Sequence, residues 1–241
     1  MQRRAIGQLI GRENRGIPET RAQVFARLKR EGEEERLAAK FHELDRIDYF
    51  VGLHIGQVTR PAALAIVEVT YDYAIRNTRH AVTHIEQFKA GTDYPAIVER
   101  AAKIFASGRI QSAYGRGFVV DGTYTGIALR DLLSASTPNG DYALYQIAES
   151  GACANCVTTK QDLTLQMQRL LQERRILVAP KIQDAAGLMR EMKDYRAQVN
   201  DSGSVQFGGG SKQPRVAAIS IAVWHAFWWE RVLWPGFSEG N

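Results

Sequence analysis

Asp121 closes an apolar run, Phe118-Val119-Val120-Asp121, and is followed by a glycine-bearing turn, Gly122-Thr123-Tyr124-Thr125-Gly126. A carboxylate at the end of a buried strand is a hard oxygen donor fixed at a sheet edge, suited to a divalent cation or to proton transfer. Cys153 and Cys156 form a single Cys-x-x-Cys, and His80 and His84 sit four apart in His-Ala-Val-Thr-His. Zinc takes four ligands, so these two pairs would have to meet to hold one ion. Read as an extended strand, the histidine segment puts both rings on one face but about 13 Å apart, so two reduced, metal-free cysteines are the expectation. His225 stands among Trp224, Phe227, Trp228 and Trp229, with Trp234 and Phe237 beyond. There a packing role is expected for the imidazole, and the aromatic cluster divides between core and a contact surface. A GxxxxGK[ST] phosphate loop, a GxGxxG turn after a strand and the local signatures of Ser-His-Asp or Cys-His catalysis do not occur.

The elements that must position these residues are legible as changes of period. Tyr49 to Leu53, Ala63 to Val69 and Ala81 to Phe88 are strand-type runs, the first two separated by Gly56-Gln57-Val58-Thr59-Arg60-Pro61. Tyr94-Pro95 opens a helical pattern through Ile97, Val98, Ala101, Ile104 and Phe105. After the Asp121 strand come a helix through Ile127, Leu129, Leu132 and Leu133, a strand from Tyr142 to Ala148, and a helix from Asp162 to Glu173. Ile176-Leu177-Val178 is a short strand, Asp184 to Tyr195 a helix, Asn200 to Ser211 a glycine-rich loop, and Val216 to Trp229 a largely buried terminal helix. Three early strands followed by alternating helices and strands predict a mixed α/β sheet.

Residues 1–48 read differently, dense in Arg and Glu, with Val24, Leu28, Leu37, Phe41 and Leu44 near helical spacing. We assign them as an N-terminal helical arm and residues 49–241 as one domain. The chain has 241 residues with 31 basic and 26 acidic side chains, a net charge of +5. With 45% hydrophobic residues the composition is that of a globular protein. No apolar stretch approaches the roughly 20 residues of a membrane span, and the first residues carry no secretory h-region. Two cysteines in this length fit a reducing, cytoplasmic setting.

The order and spacing of these phrases resemble the C-terminal nuclease domain of phage terminase large subunits, which has the RNase H-like fold. Tyr49 to Gln57 is similar to the family's first strand and its G-x-D-x-G turn, Leu64 to Glu68 to the second strand, and Ile85 to Pro95 to the third strand and entry into a helix. Phe118 to Gly126 is similar to the second acidic strand. Lys160-Gln161-Asp162-Leu163, Arg190-Glu191-Met192 and Ala217 to Trp224 fall where the family has three helix motifs.

The resemblance implies a two-metal phosphodiester hydrolase, which needs several carboxylates to hold two divalent ions about 4 Å apart. Here the first-strand acid position is His54, a neighbouring position that is often acidic is Arg60, and the last acidic motif aligns with Lys212-Gln213-Pro214-Arg215. Of the aligned acids Asp121 remains, which makes it the metal ligand if any is bound, and His54 and Asp121 the candidate catalytic pair. No cofactor is expected, with Mg²⁺ or Mn²⁺ entering only through residual nuclease activity. Glu68, Glu191 and Asp201 are the acids that could rescue such a site. Arg60, Lys212 and Arg215 convert a cation site into an anion site, making them the candidate nucleic-acid contacts, with Lys103, Arg109, Arg116 and Arg130 adding charge around the sheet edge. The expected function is a degenerate terminase-nuclease-like module that binds nucleic acid or assembles. A residual metal-dependent DNA endonuclease and a structural oligomer are the alternatives. The partners implied are DNA, a packaging-type ATPase or further copies of the chain, in the cytoplasm of a bacterium carrying a phage or prophage, with no membrane.

Overall fold

The computed structural model describes residues 47–56, 60–72, 77–123, 126–137, 142–148, 157–179, 181–195, 198–199, 205–206 and 213–233. The helical arm up to residue 46, Cys153, Cys156, Asp201, Lys212, Trp234 and Phe237 lie outside these residues. In chain order the elements are β1 (Ile47–His54), β2 (Ala63–Asp72), β3 (Asn77–Gln87), α1 (Tyr94–Phe105), α2 (Gly108–Gln111) and β4 (Arg116–Asp121). There follow α3 (Gly126–Ser136), β5 (Ala143–Tyr145), β6 (Ile147–Ala148), β7 (Thr158–Thr159), α4 (Lys160–Gln172) and β8 (Ile176–Val178). Last come α5 (Ala185–Asp194), β9 (Gln198–Val199), β10 (Val205–Gln206) and α6 (Pro214–Leu233).

Six strands form one sheet in the order β5-β4-β1-β2-β3-β8. β2 is antiparallel to both β1 and β3, while β1–β4, β4–β5 and β3–β8 are parallel, so β2 alone of the six runs against the rest. A three-strand meander extended beyond β1 by two parallel strands, with helices on both faces, is the RNase H-like arrangement, the α/β class expected from the sequence.

Alternation along β1 divides the core. Tyr49, Val51 and Leu53 pack with Ile97, Val98, Ala101 and Phe105 of α1 and with Leu129 and Leu133 of α3. Phe50 packs on the other face with Ala218, Ala222 and Ala226 of α6, backed by Met167 and Leu170 of α4 and Leu188 of α5. Both faces of the central strands are therefore covered, which is why β1 and β4 read as near-continuous apolar runs. Full burial of side chains such as Phe50, Leu53 and Phe118 contributes about 2 kcal/mol each. The small residues at every fourth position of α6 let it lie directly on the sheet. A Cβ on Gly52 would stand 2.1 Å from the Ala218 carbonyl oxygen, and one on Gly117 2.7 Å from the His225 ring.

Two local departures from the expected pattern have visible causes. The stretch Tyr142 to Ala148 is two strands rather than one: β5 pairs with β4, while the chain turns at Gln146, whose carbonyl accepts from Val157 N–H, and β6 pairs with β7. In β3 the pairing with β2 slips between Val82 and His84, leaving Thr83 as an extra residue. The slip reverses the alternation, so His80 faces α6 with Val82 while His84 points to the opposite face. The expectation of both histidines on one face is corrected by this bulge. His84 Nε2 instead lies 3.5 Å from Glu86.

Among the described residues no helix is long and apolar enough to cross a membrane. Buried polar groups instead mark the joints of the fold. Asp48 is fully buried and accepts from Gly115 N–H at 2.7 Å and from the Tyr71 hydroxyl at 3.0 Å, tying the start of β1 to the entry of β4.

Two buried histidines make the fold acid-sensitive. Burial and the Arg175 cation push His80 down to about 3, although Glu230 Oε1 lies 3.7 Å away, and burial pushes His225 down to about 4. A base whose pKa falls on folding binds its proton in the unfolded chain first. The folded state is therefore favoured in full above about pH 6.5 and loses stability as pH falls toward those values. By about pH 5 each histidine costs roughly 2 kcal/mol. Urea midpoints at the two pH values should show this loss, and the double variant His80→Leu, His225→Phe should flatten it.

Candidate functional site

β1 and β4 are adjacent parallel strands, and their last residues, His54 and Asp121, are register partners. The chain leaves β1 toward β2 on one side and leaves β4 through α3 toward β5 on the other. Such a divergence opens a crevice outside the carboxyl ends of the strands, where α/β sheets bind ligands. Both side chains fall on the α6 face, as their two-residue spacing from Gly52 and Val119 requires. Because Phe50 meets His225 whereas Gly52 meets Ala218 and Ala222, α6 runs antiparallel to β1. Its first turn therefore points to the same edge.

His54 Nδ1 lies 2.9 Å from Asp121 Oδ2. The second carboxylate oxygen, Oδ1, accepts from Thr123 N–H at 3.1 Å and from the Thr123 hydroxyl at 2.5 Å. Thr123 Oγ1 in turn accepts from Ile147 N–H at 3.1 Å, so the turn after β4 is anchored to β6. Burial to 6% exposure would raise Asp121's pKa, but the His54 and Thr123 hydrogen bonds outweigh it and hold the carboxyl below its ordinary value. An ionised carboxylate has no proton to give, so His54 donates from Nδ1. Among the described residues the ring's other nitrogen, Nε2, has no hydrogen-bond partner, and the side chain is 14% exposed. Thr123 is the residue that sequence reasoning passed over. Its position two beyond an acid, in Asp121-Gly122-Thr123, is the signal of a side chain folding back on the preceding carboxylate.

The other expected residues are distributed as follows. Arg60 is exposed in the connection from β1 to β2, at the His54 edge. That connection folds tightly, since a Cβ on Gly56 would stand 2.6 and 2.7 Å from the carbonyl oxygens of Arg60 and Pro61. Arg215, in the first turn of α6, is tied to Glu191 Oε1 at 2.5 Å and to Asp184, with its side chain 14% exposed. Glu191 Oε2 also accepts from Arg215 N–H at 2.8 Å and Val216 N–H at 3.1 Å, so a buried carboxylate caps α6 from α5. Glu68 lies on the opposite face and faces Tyr49, five residues back along β1 and so about 16 Å from His54. There it accepts from the Tyr49 hydroxyl at 2.8 Å and from Arg109 at 2.7 Å. Arg116 begins β4, so it and Arg109 stand at the amino edge of the sheet, away from Asp121. Lys103 and Arg130 are exposed on α1 and α3.

Among the described residues no three His, Cys, Asp or Glu side chains gather where a metal ion could sit. Of the acids considered as rescuers, Glu68 and Glu191 are committed to partners elsewhere, and both Asp121 oxygens already hold protein donors. The described residues do not by themselves fit a pair of divalent cations, and Asp201 lies outside them.

No protein-family profile and no curated protein matches the chain. Solved structures with a similar fold include the large terminase nuclease from thermophilic phage G20c, at 15% identity and TM-score 0.48, covering 74% of this chain and 83% of that one. The nuclease domain of the large terminase subunit gp2 of bacterial virus Sf6, with manganese and beta-thujaplicinol, aligns at 12% identity and TM-score 0.49 over 77% of this chain and 92% of its own. The manganese-soaked human cytomegalovirus terminase nuclease domain aligns at 11% identity and TM-score 0.47, over 79% and 93% respectively.

Removing the buried cap tests this arrangement. Glu191→Ala leaves the Arg215 guanidinium with Asp184 alone and unpairs two backbone donors of α6, at a cost of about 3 kcal/mol. Glu191→Gln keeps an acceptor for the amides and should recover part of that loss in urea denaturation.

Proposed function

We propose that this chain is a nucleic-acid-binding module on an RNase H-like, terminase-nuclease-type scaffold, one that holds a phosphodiester strand without efficient Mg²⁺-dependent cleavage. The observation that supports this reading is that Asp121 stands without a second acid beside it among the described residues. Its oxygens accept from His54 Nδ1 and from the Thr123 amide and hydroxyl, three bonds on about four lone-pair sites, and no cluster of carboxylates converges there. A two-ion site draws on several acidic ligands at one place, with the ions about 4 Å apart. At this edge the neighbours are an imidazole and the exposed Arg60 instead.

Such an edge favours anions. Each cation that meets a phosphate releases condensed counterions, so affinity falls steeply with salt. Arg60 is the described side chain best placed for that role, and Lys212, just ahead of α6, is proposed to share it. Arg215 contributes by fixing the first turn of α6 through Glu191 and Asp184 rather than by reaching outward. DNA, a packaging-type ATPase and a phage or prophage setting in the bacterial cytoplasm belong to the same proposal, on the strength of the resemblance in sequence.

Fluorescence anisotropy of a labelled oligonucleotide between about 50 and 200 mM salt tests the reading. Retention should weaken log-linearly with salt, and Arg60→Glu should lower the slope by about 1. A supercoiled plasmid should stay intact in Mg²⁺ and Mn²⁺. Nicking that disappears in Asp121→Ala would establish a residual metal-dependent endonuclease instead. Failure to retain any strand at the lowest salt would leave a structural, oligomer-forming role.

A further inference from the structure

At the amino edge of the sheet, opposite the His54 crevice, one corner is open. β5 pairs with β4 from Val119 to Asp121, so among the described residues Arg116 to Phe118 have no strand on their outer side. Above that strip runs α6. Ile221 and Trp224 lie on its β5 side, packed with Val119 and Tyr145, and the Trp224 ring meets Tyr145 edge-on at 5.4 Å. Trp228, four residues on, falls on the same side and one turn nearer the amino edge, because α6 runs antiparallel to β1. It belongs to the apolar core of neither sheet face, stacks on the His225 ring at 5.9 Å and is half-buried. An indole left half-covered over a strand edge makes a groove with an aromatic wall, a surface that calls for an apolar occupant.

The chain supplies such an occupant from its own sequence. Residues 1–46, outside the described residues, lead directly into Ile47, the first residue of β1, which is 40% exposed at this same edge. Within them Leu37, Phe41 and Leu44 are spaced i, i+4 and i+7, the apolar stripe of an amphipathic helix. Leu44 is three residues from Ile47, and three residues span at most about 10 Å. The outer side of β4 is two strand spacings of about 4.8 Å from β1, so Leu44 reaches the groove and cannot pass far beyond it. A segment tethered so closely meets the groove at an effective concentration on the order of millimolar, which a second copy attains only when equally concentrated.

We propose that the Leu37, Phe41 and Leu44 stripe docks, within the same chain, against Trp224 and Trp228 and covers the outer edge of β4 there. Arg60 and His54 stand at the opposite edge, so this contact is independent of nucleic-acid binding.

All four tryptophans, at 224, 228, 229 and 234, fall in the second half of α6 or directly after it, so their fluorescence reports this surface. In the whole chain, Phe41→Glu combined with Leu44→Glu should shift the emission to longer wavelength and raise quenching by acrylamide. Ala39→Glu, on the opposite side of the same helical pattern, should change neither. Emission of the unaltered chain should be the same at every concentration. A second measurement approaches from the other partner: Trp228→Ala should speed tryptic cleavage after Arg36 and Lys40 relative to sites beyond residue 47. Where the paired glutamates prevent folding, that cleavage ratio decides, and a ratio left unchanged by Trp228→Ala overturns the docking. Unaltered emission in the folded Phe41→Glu, Leu44→Glu variant overturns it too, as does an equal shift in Ala39→Glu, because the contact is then not made by the apolar stripe. A shift to longer wavelength on dilution of the unaltered chain overturns it by assigning the groove to a second copy.

Discussion

The rest of the molecule depends on how closely α6 lies on the sheet. Where Gly52 passes under Ala218 there is no room for any side chain: a methyl group would meet a helix carbonyl oxygen at 2.1 Å. Both partners in that contact are backbone, so neither can yield by changing a rotamer. The helix would have to lift, breaking the packing of Ala218, Ala222 and Ala226 against Phe50 and its neighbours. It would also carry its first turn away from the edge at which His54 and Asp121 end their strands. One steric constraint thus sets both the depth of the core and the geometry of the crevice.

At the ends of these elements the fold uses carboxylates as fasteners. Asp48, Asp121 and Glu191 are each less than a tenth exposed, and each accepts from backbone N–H groups as well as from a side chain. Burying a carboxylate is costly unless its oxygens are satisfied, and once satisfied they make strong, directional bonds. Asp48 joins β1 to the approach of β4, Glu191 closes the start of α6, and Asp121 locks the end of β4 to β1. The same three acids stand at three separate joints, so among the described residues they do not gather at one point.

The strands and helices that carry an uninterrupted period were legible in the sequence, and with them the fold class. Phe118-Val119-Val120-Asp121 and Tyr49 to Leu53 could be read directly, because central strands covered on both faces have little alternative to apolar residues. What the sequence hid were events of register. The bulge at Thr83 leaves no trace in composition, yet it sends His80 and His84 to opposite faces. The break at Gln146 depends on a carbonyl being claimed by Val157, a residue eleven positions on. At the site, the adjacency of His54 and Asp121 followed from the expected strand order, but the ties of Arg215 to Glu191 and Asp184 did not. A first-turn arginine looks the same in sequence whether it faces solvent or a buried acid.

The pairing of His54 with Asp121 also accounts for the burial of an acid at this edge. A carboxylate with 6% exposure must be neutralised by something, and in a metal centre the ion does it. Here the work is divided between an imidazole N–H, a backbone amide and a hydroxyl, all held on elements that the core already fixes. The two residues are consequently coupled. Without His54, Asp121 would lose its strongest partner and its pKa would rise toward the value burial alone dictates. Without Asp121, no described side chain would choose between the two nitrogens of His54. The orientation and tautomer of His54 are thus decided by a carboxylate that the core holds in place.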